Sequence, residues 1–223
     1  MSYTRVAVYY LPPGGDLARF GASWLGWDVA QGCPAPQPAI AGLAEVTEAP
    51  RKYGFHGTLK PPFRLAEGLD IAALEEAVES VARTGAPARA DGLALTTLGG
   101  FLAFTPVGDA AAIERLAASC VTELDAFRAP AGPNEIARRR GAGLTSRQDA
   151  LLTRWGYPYV MEEFHFHLTL TGRLPKDKAE GWYREARARL PELPVPFVME
   201  DVALAGERPD GRFELIRRFP LTG

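Results

Sequence analysis

The five-residue sequence Phe-His-x-Thr-Leu occurs twice in this chain, at residues 55–59 and 166–170. The chain has three histidines, and two of them, His56 and His167, occupy the same place in this repeat. They are separated by half the length of the 223-residue chain. Repetition at this spacing predicts an internal duplication, in which each half of the chain supplies one histidine-bearing strand.

The predicted order of secondary-structure elements supports a duplication. After each histidine strand, the spacing of apolar residues predicts a helix, a strand, a tight turn and a second strand. In the first half, Asp70 is the expected N-cap of the helix, and the turn lies at residues 99–100. In the second half, the helix follows Pro175 and the turn lies at residues 209–211.

The fold predicted from this order is an α+β fold. We expect a single bilobal domain over residues 1–223, with lobe-forming repeats at roughly 1–107 and 108–223. Two antiparallel sheets would line a central cleft, with helices on their outer sides. Residues 130–160 have no counterpart in the first half and form a candidate lid over the cleft. Within them, Thr145 and Gln148 predict a capping box at the start of a helix.

Composition and charge limit the partners that the chain is expected to have. A formal net charge of −2 and a pI near 6.0 argue against binding to long nucleic acids, which usually requires a basic face. The sequence from Met1 lacks the pattern of a signal peptide, and no apolar run reaches the length of a membrane span. Cys33 and Cys120 form no CxxC motif and are expected to be reduced thiols. We therefore expect a cytoplasmic protein that has no membrane partner, and its oligomeric state is left open.

Strand geometry indicates what the repeated motif can do. Side chains alternate between the two faces of a strand. One face of the first strand would carry His56, Thr58 and Lys60, and one face of the second would carry His165, His167 and Thr169. An imidazole can transfer a proton to or from an oxygen atom, and a threonine hydroxyl can donate a hydrogen bond to a phosphate oxygen.

Two such pairs facing a shared cleft would suit a reaction at phosphorus. One histidine would act as general base on the attacking oxygen, and the other, protonated, would donate a proton to the leaving oxygen. His56, Thr58, His167 and Thr169 are therefore the predicted catalytic residues. This mechanism requires neither a metal ion nor a cofactor. It leaves open which histidine is the acid, and it predicts a bell-shaped dependence of turnover on pH.

The motifs at residues 56–59 and 167–170 resemble the paired H-x-T-φ motifs of the 2H phosphoesterase superfamily, where φ is an apolar residue. Members of that superfamily include bilobal α+β cyclic phosphodiesterases that use both histidines without a metal. The longer contexts at residues 53–63 and 155–159 are similar to a bacterial branch found with phosphonate-utilisation operons, the domain-of-unknown-function family 1045. The resemblance implies a small phosphorylated substrate, namely a phosphate ester or cyclic phosphate of a nucleotide or ribosyl metabolite.

Further residues are candidates for binding the substrate. They are neighbours of the histidine strands or carry a positive charge, and they comprise Lys60, Tyr53, Tyr159, His165, Arg147 and Tyr10. Lys60 could neutralise a phosphate oxygen, and the tyrosines could stack on a base or sugar. Arg147 and the run Arg138-Arg139-Arg140 lie in the candidate lid, although a solvated helix face is the expected place for the run.

Two other functions are compatible with the same residues. His165 and His167 form a His-x-His pair that could bind zinc together with His56, which would make the protein a metal-dependent hydrolase. That alternative leaves the matched threonines Thr58 and Thr169 without a role. A cleft that binds a phosphorylated ligand without turnover is the third possibility.

Overall fold

The computed structural model describes residues 3–223 and has an α+β architecture, as predicted. The strands are β1 (Val6–Tyr10), β2 (Trp27–Asp28), β3 (Cys33–Pro34), β4 (Gly57–Phe63), β5 (Ala88–Ala90), β6 (Gly92–Leu98), β7 (Phe101–Val107), β8 (Leu168–Thr169), β9 (Phe197–Met199), β10 (Asp201–Glu207) and β11 (Phe213–Pro220). The helices are α1 (Asp16–Leu25), α2 (Leu43–Val46), α3 (Glu48–Arg51), α4 (Ile71–Thr84), α5 (Ala111–Glu123), α6 (Pro133–Arg140), α7 (Ser146–Trp155) and α8 (Lys176–Arg187).

The main sheet has seven strands in the order β11-β10-β1-β4-β8-β7-β6, and every neighbouring pair is antiparallel. Two separate sheets were expected, but the two groups of strands are joined in this sheet by the pairing of Gly57 on β4 with Leu168 on β8. Two-stranded sheets formed by β2-β3 and by β5-β9 accompany it.

The two groups of strands do not coincide with the two halves of the sequence. The β6-β7 hairpin of the first half lies beside β8 of the second half. The β10-β11 hairpin of the second half lies beside β1, which in turn pairs with β4. Each half of the chain therefore contributes its hairpin to the group that contains the other half's histidine strand, and the internal duplication stays a prediction.

Several local predictions are confirmed. The Asp70 side chain accepts a hydrogen bond of 2.9 Å from the Ala73 amide at the start of α4. Thr145 and Gln148 form both bonds of a capping box at α7. The β6-β7 hairpin turns at Gly99 and Gly100, whose positive φ angles of 57° and 98° favour glycine.

The end of the histidine strand β4 differs from the prediction. Pro61 and Pro62 were expected to terminate the strand, but β4 continues to Phe63. The pairing with β1 shifts in register between Lys60 and Phe63, so the two prolines lie in an irregular part of the ladder. Prolines are tolerated at such irregularities because the amide hydrogen they lack is not needed by the ladder there.

The two faces of the main sheet contact different parts of the molecule. On one face, α4 and α5 pack against buried strand residues that include Val8, Leu59 and Phe104. Cys120 of α5 is buried in this core, whereas Cys33 is exposed, and both are free thiols. On the other face, Tyr9 packs in a smaller cluster with Trp27 and Phe213. None of the helices described for residues 3–223 combines the length and the apolar character needed to cross a bilayer.

Candidate active site

The two H-x-T motifs meet at the centre of the main sheet. Gly57 of β4 pairs with Leu168 of β8 in antiparallel orientation. Continuing this register by one residue in each direction places His56 opposite Thr169 and Thr58 opposite His167. Residues that are directly opposite in an antiparallel pair have Cα atoms about 4.5–5.5 Å apart. The four predicted catalytic residues are therefore close together: Thr58 and Thr169 lie on adjacent strands, and His56 and His167 directly precede those strands.

These four side chains share one face of the sheet. The residues that alternate with them, Phe55, Leu59, Phe166, Leu168 and Leu170, are all at most 5% exposed and belong to the core on the opposite face. His56, Thr58, His167 and Thr169 are each partly exposed. Strand alternation thus separates a buried apolar side from an accessible side that carries two imidazoles and two hydroxyls.

Both imidazoles are held in the same way. The Nδ1 atom of His56 lies 2.9 Å from the Gly54 carbonyl oxygen, and Nδ1 of His167 lies 2.7 Å from the His165 carbonyl oxygen. A carbonyl oxygen only accepts hydrogen bonds, so Nδ1 carries the proton in each ring and Nε2 is the basic atom of the neutral form. Nε2 of His56 lies 3.1 Å from the Thr58 hydroxyl, which can donate to it. Each ring can therefore exchange a proton through Nε2.

Burial keeps both rings neutral near pH 7. Removal from water, with a smaller contribution from repulsion by His167, lowers the pKa of His56 to about 4, although the hydrogen bond to the Gly54 carbonyl acts in the opposite direction. Burial also lowers the pKa of His167, with a contribution from His165. Because the two rings repel each other when both are charged, the site favours states in which at most one of the two imidazoles is positively charged.

Tyr9 is a part of this site that the sequence analysis missed. Its ring centroid lies 4.0 Å from that of His56, and Tyr9 pairs with Thr58 in the β1-β4 register. Tyr9 is fully buried, and its hydroxyl has no hydrogen-bond partner among the described residues. Tyr53, which was predicted, also lies beside His56, with ring centroids 5.9 Å apart. The aromatic rings of Tyr9 and Tyr53 therefore both lie beside the His56 ring.

The expectation for Tyr10 was wrong because Tyr10 points to the opposite face from Tyr9. Tyr10 is 3% exposed in the main core, where its ring meets Phe166 and Phe197 edge-on. The alternation of β1 was readable from the sequence. The sequence did not show that β1 pairs with β4. This pairing decides which of the two tyrosines contacts His56.

Lys60 also lies away from the predicted catalytic face. Thr58 pairs with Tyr9, but Lys60 pairs with Val8, so a β-bulge at Leu59 breaks the alternation on which the prediction relied. The Lys60 side chain is 2% exposed, and its Nζ donates a 3.0 Å hydrogen bond to the Val121 carbonyl at the end of α5. Burial lowers its pKa to about 8. Lys60 is therefore a buried structural lysine.

We expect the Lys60→Met variant to keep its catalytic activity within about threefold of the wild type. Its free energy of unfolding should change by less than about 1 kcal/mol, because an apolar chain of similar length removes a buried charge along with its hydrogen bond. Chemical denaturation and steady-state kinetics measure the two effects, and Lys176→Met is the control at an exposed lysine on α8. A loss of activity beyond about thirtyfold in a stably folded Lys60→Met variant would show that Lys60 contributes to the active site.

The remaining candidates lie near the surface. Tyr159 is 46% exposed and its ring contacts that of Tyr157 at 5.7 Å. Arg147 forms an exposed ion pair with Glu162. The His165 side chain is exposed, and its contact with the site is made by the main-chain carbonyl that holds His167. Substrate binding by Tyr159, Arg147 and His165 stays a prediction, as does the role of residues 130–160 as a lid.

The three-histidine zinc site is not assembled in this arrangement. Within residues 3–223, no group of three or more His, Cys, Asp or Glu side chains lies close enough together to hold a metal ion. The paired threonines thus have a better explanation in the four-residue group than in the zinc alternative.

Comparison with known families gives a match to the family described as "Protein of unknown function (DUF1045)" over residues 58–214, which is more than half of the chain. The chain belongs to the DUF1045 family. The matched region contains Thr58, His167 and Thr169 and begins two residues after His56. The family branch predicted from the longer motif contexts is confirmed.

Among curated proteins, this DUF1045 chain is similar to two that are named ribose 1,5-bisphosphate phosphokinase PhnN. One, from Janthinobacterium sp. (strain Marseille), is 38% identical over 238 aligned positions that include 100% of this chain and 52% of the relative. The other, from Laribacter hongkongensis (strain HLHK9), is 38% identical over 82% of this chain and 44% of the relative. The DUF1045 chain thus spans about half the length of these relatives.

Among solved structures, the chain is similar to TT0787 of Thermus thermophilus, with a TM-score of 0.44, 17% identity and 98% coverage of both chains. E. coli LigT in complex with 3′-AMP gives a TM-score of 0.44 and 14% identity over 100% of both chains. Both TM-scores are below 0.5, so neither likeness assigns an activity to the DUF1045 chain.

Proposed function

We propose that this DUF1045 protein is a metal-independent phosphoesterase that hydrolyses a small phosphodiester or cyclic phosphate by general acid–base catalysis with two histidines. The observation that carries the proposal is the pairing of Gly57 with Leu168, the central residues of the two H-x-T motifs, because this pairing brings the two motifs side by side in the main sheet. The equivalent main-chain bonds to the two Nδ1 atoms support it, because they present two rings of the same tautomer.

In the proposed reaction, the phosphorus atom lies above the four-residue group. One histidine, neutral, accepts a proton from water at its Nε2 as the water oxygen forms a bond to phosphorus. The bond from phosphorus to the leaving oxygen breaks, and the second histidine, protonated, donates its Nε2 proton to that oxygen. In the complex with substrate, the Thr58 hydroxyl turns from Nε2 of His56 and donates to a non-bridging oxygen, as the Thr169 hydroxyl does, while negative charge develops there. An open phosphodiester gives an alcohol and a phosphate monoester, whereas a cyclic phosphate opens to a single phosphate monoester that also carries the released hydroxyl.

The proposed substrate is a phosphorylated ribose derivative, such as a ribosyl cyclic phosphate. The name of the curated relatives refers to a ribose bisphosphate, and the resemblance noted from the motifs points to phosphonate breakdown. The test is a panel of ribosyl cyclic phosphates and nucleoside 2′,3′-cyclic phosphates, assayed with and without EDTA. Turnover that persists in EDTA is expected. Activity that requires added zinc would contradict the mechanism, and tight binding without turnover would make the protein a binding module.

We expect the value of kcat/KM to follow a bell-shaped curve that is displaced to acid pH. This parameter reports on the free protein, in which both imidazole pKa values lie below the ordinary value of about 6.5. Above the higher of the two pKa values, the protein loses the single proton that the acid must donate, so kcat/KM should fall about tenfold per pH unit. Below a pH of about 4, protonation of the base should lower it again.

The profile is measured by initial rates from pH 3.5 to 9, with circular dichroism at each pH to show that the protein is folded. A basic limb with its midpoint above a pH of about 8 would be inconsistent with a buried imidazole as the acid.

A further inference from the structure

Four arginines from separate parts of the chain line one cavity beyond the end of β4. Arg5 precedes β1, Arg64 follows β4, Arg128 follows α5, and Arg138 lies on α6. The cavity has a volume of about 610 Å³, within the range of roughly 300–1,000 Å³ that is usual for small-molecule sites. None of His56, Thr58, His167 and Thr169 lines it.

The positive charge in this cavity is only partly neutralised. Arg5 pairs with Glu207 through Nε and Nη2, and Arg128 pairs with Asp125. Arg64 and Arg138 have no ion pair or side-chain hydrogen bond within residues 3–223. The acidic residue of the lining, Glu135, is already paired with Arg139 at 2.9 Å. Arg64 and Arg138 therefore leave positive charge at the cavity that no acidic side chain of the described residues neutralises, and a bound anion would neutralise it.

Main-chain hydrogen bonds place Arg64 and Arg128 on neighbouring segments. The Ala129 amide donates a 2.8 Å hydrogen bond to the Arg64 carbonyl, and the Ala66 amide donates a 2.9 Å bond to the Phe127 carbonyl. These bonds hold the segments that carry Arg64 and Arg128 beside each other. Two residues at the start of α6, Gly132 and Asn134, also line the cavity, and no side chain caps that end of the helix. The positive end of the helix dipole adds to the field of the arginines.

We propose that this cavity binds the phosphate dianion of a small phosphate ester, at a site distinct from the histidine pair. Guanidinium groups present paired N–H donors that match the oxygens of a phosphate, and several converging arginines favour a dianion over a monoanion. Arg5 lies four residues before Tyr9, the residue whose ring contacts His56. At the rise of an extended chain this is roughly 13 Å, so the cavity and the histidine pair are separate sites. The proposal does not rest on the proposed hydrolysis.

The test is calorimetric titration of the full chain with ribose 5-phosphate at low ionic strength, and separately with inorganic phosphate. The variant Arg64→Ala/Arg138→Ala should weaken binding at least tenfold, since it removes the two positive charges that have no acidic partner among the described residues and that would attract the anion. The control Arg83→Ala/Arg115→Ala removes the same charge from exposed arginines on α4 and α5 and should leave affinity within twofold. Tighter binding of ribose 5-phosphate than of inorganic phosphate identifies an ester as the ligand, and equal binding identifies the free ion.

The His56→Ala/His167→Ala variant separates this cavity from the histidine site. Its affinity for ribose 5-phosphate should equal that of the wild type. Equal affinities of the two double-arginine variants would overturn the proposal, and so would binding that disappears when only the histidines are replaced.

Discussion

Replacing either His56 or His167 with alanine is expected to lower kcat/KM for the cyclic phosphate substrate by about 10³-fold. A positioned general acid or base typically contributes about 10²–10⁴-fold, and here each ring serves one of two coupled proton transfers. The double variant should be little slower than either single variant, because the two rings act as a unit and losing one disables the shared step. Steady-state kinetics of the three variants against the wild type measure the effect.

His165→Ala is the matched control for these variants. It removes an exposed imidazole two residues from His167 but keeps the main-chain carbonyl that accepts the bond from Nδ1 of His167. Its kcat should stay within about threefold of the wild type, because the proton transfers do not involve His165, and a role of His165 in substrate binding would appear as a higher KM. If His56→Ala or His167→Ala keeps wild-type activity while remaining folded, the paired mechanism is wrong. If His165→Ala is as damaging as either, the zinc alternative regains support.

Much of the local structure was predictable because it depends on residues that are close in sequence. The capping residues Asp70 and Thr145 and the Gly99-Gly100 turn have defined short-range geometry, and all three are found as expected. Alternation within a strand correctly separated His56 and Thr58 from the buried Phe55 and Leu59.

The features that were missed depend on which strands become neighbours. The exchange of hairpins between the two halves, the contact of Tyr9 with His56 and the bulge that turns Lys60 towards α5 all arise from the pairing of β1, β4 and β8. Pairing between distant segments leaves little trace in local periodicity, because the period of a strand shows which side chains share a face but not which other strand lies beside it.

One difference between the two motifs has a physical explanation in this pairing. The residue between His and Thr is Gly57 in the first motif and Leu168 in the second, and these two residues are directly paired. A Cβ atom at Gly57 would lie 2.2 Å from Cε2 of Phe166, the aromatic residue of the second motif. The ring of Phe166 therefore occupies the space that a side chain at position 57 would need. The absence of a side chain lets the two histidine strands lie side by side with their histidines on one face.

Gly57→Ala is accordingly expected to destabilise the protein by about 1–3 kcal/mol, the usual cost of overpacking a core. Activity should fall by on the order of 10²-fold, since a displacement of about 1 Å between the strands misplaces one histidine relative to the other. Gly181→Ala is the control, because a Cβ at that position in α8 meets no atom within 4 Å. It should leave activity unchanged and stabilise the helix by about 0.5–1 kcal/mol.

A second substitution identifies the cause of the Gly57→Ala defect. Phe166→Leu reduces the volume that opposes position 57, so adding it to Gly57→Ala should recover part of the lost stability. The coupling energy from the double-mutant cycle should be on the order of 1 kcal/mol or more and favourable. Additive effects would mean that Phe166 does not limit the approach of the two strands. Recovery of activity together with stability would tie catalysis to the β4-β8 register, because Leu at position 166 lies on the buried face and cannot itself reach the phosphate.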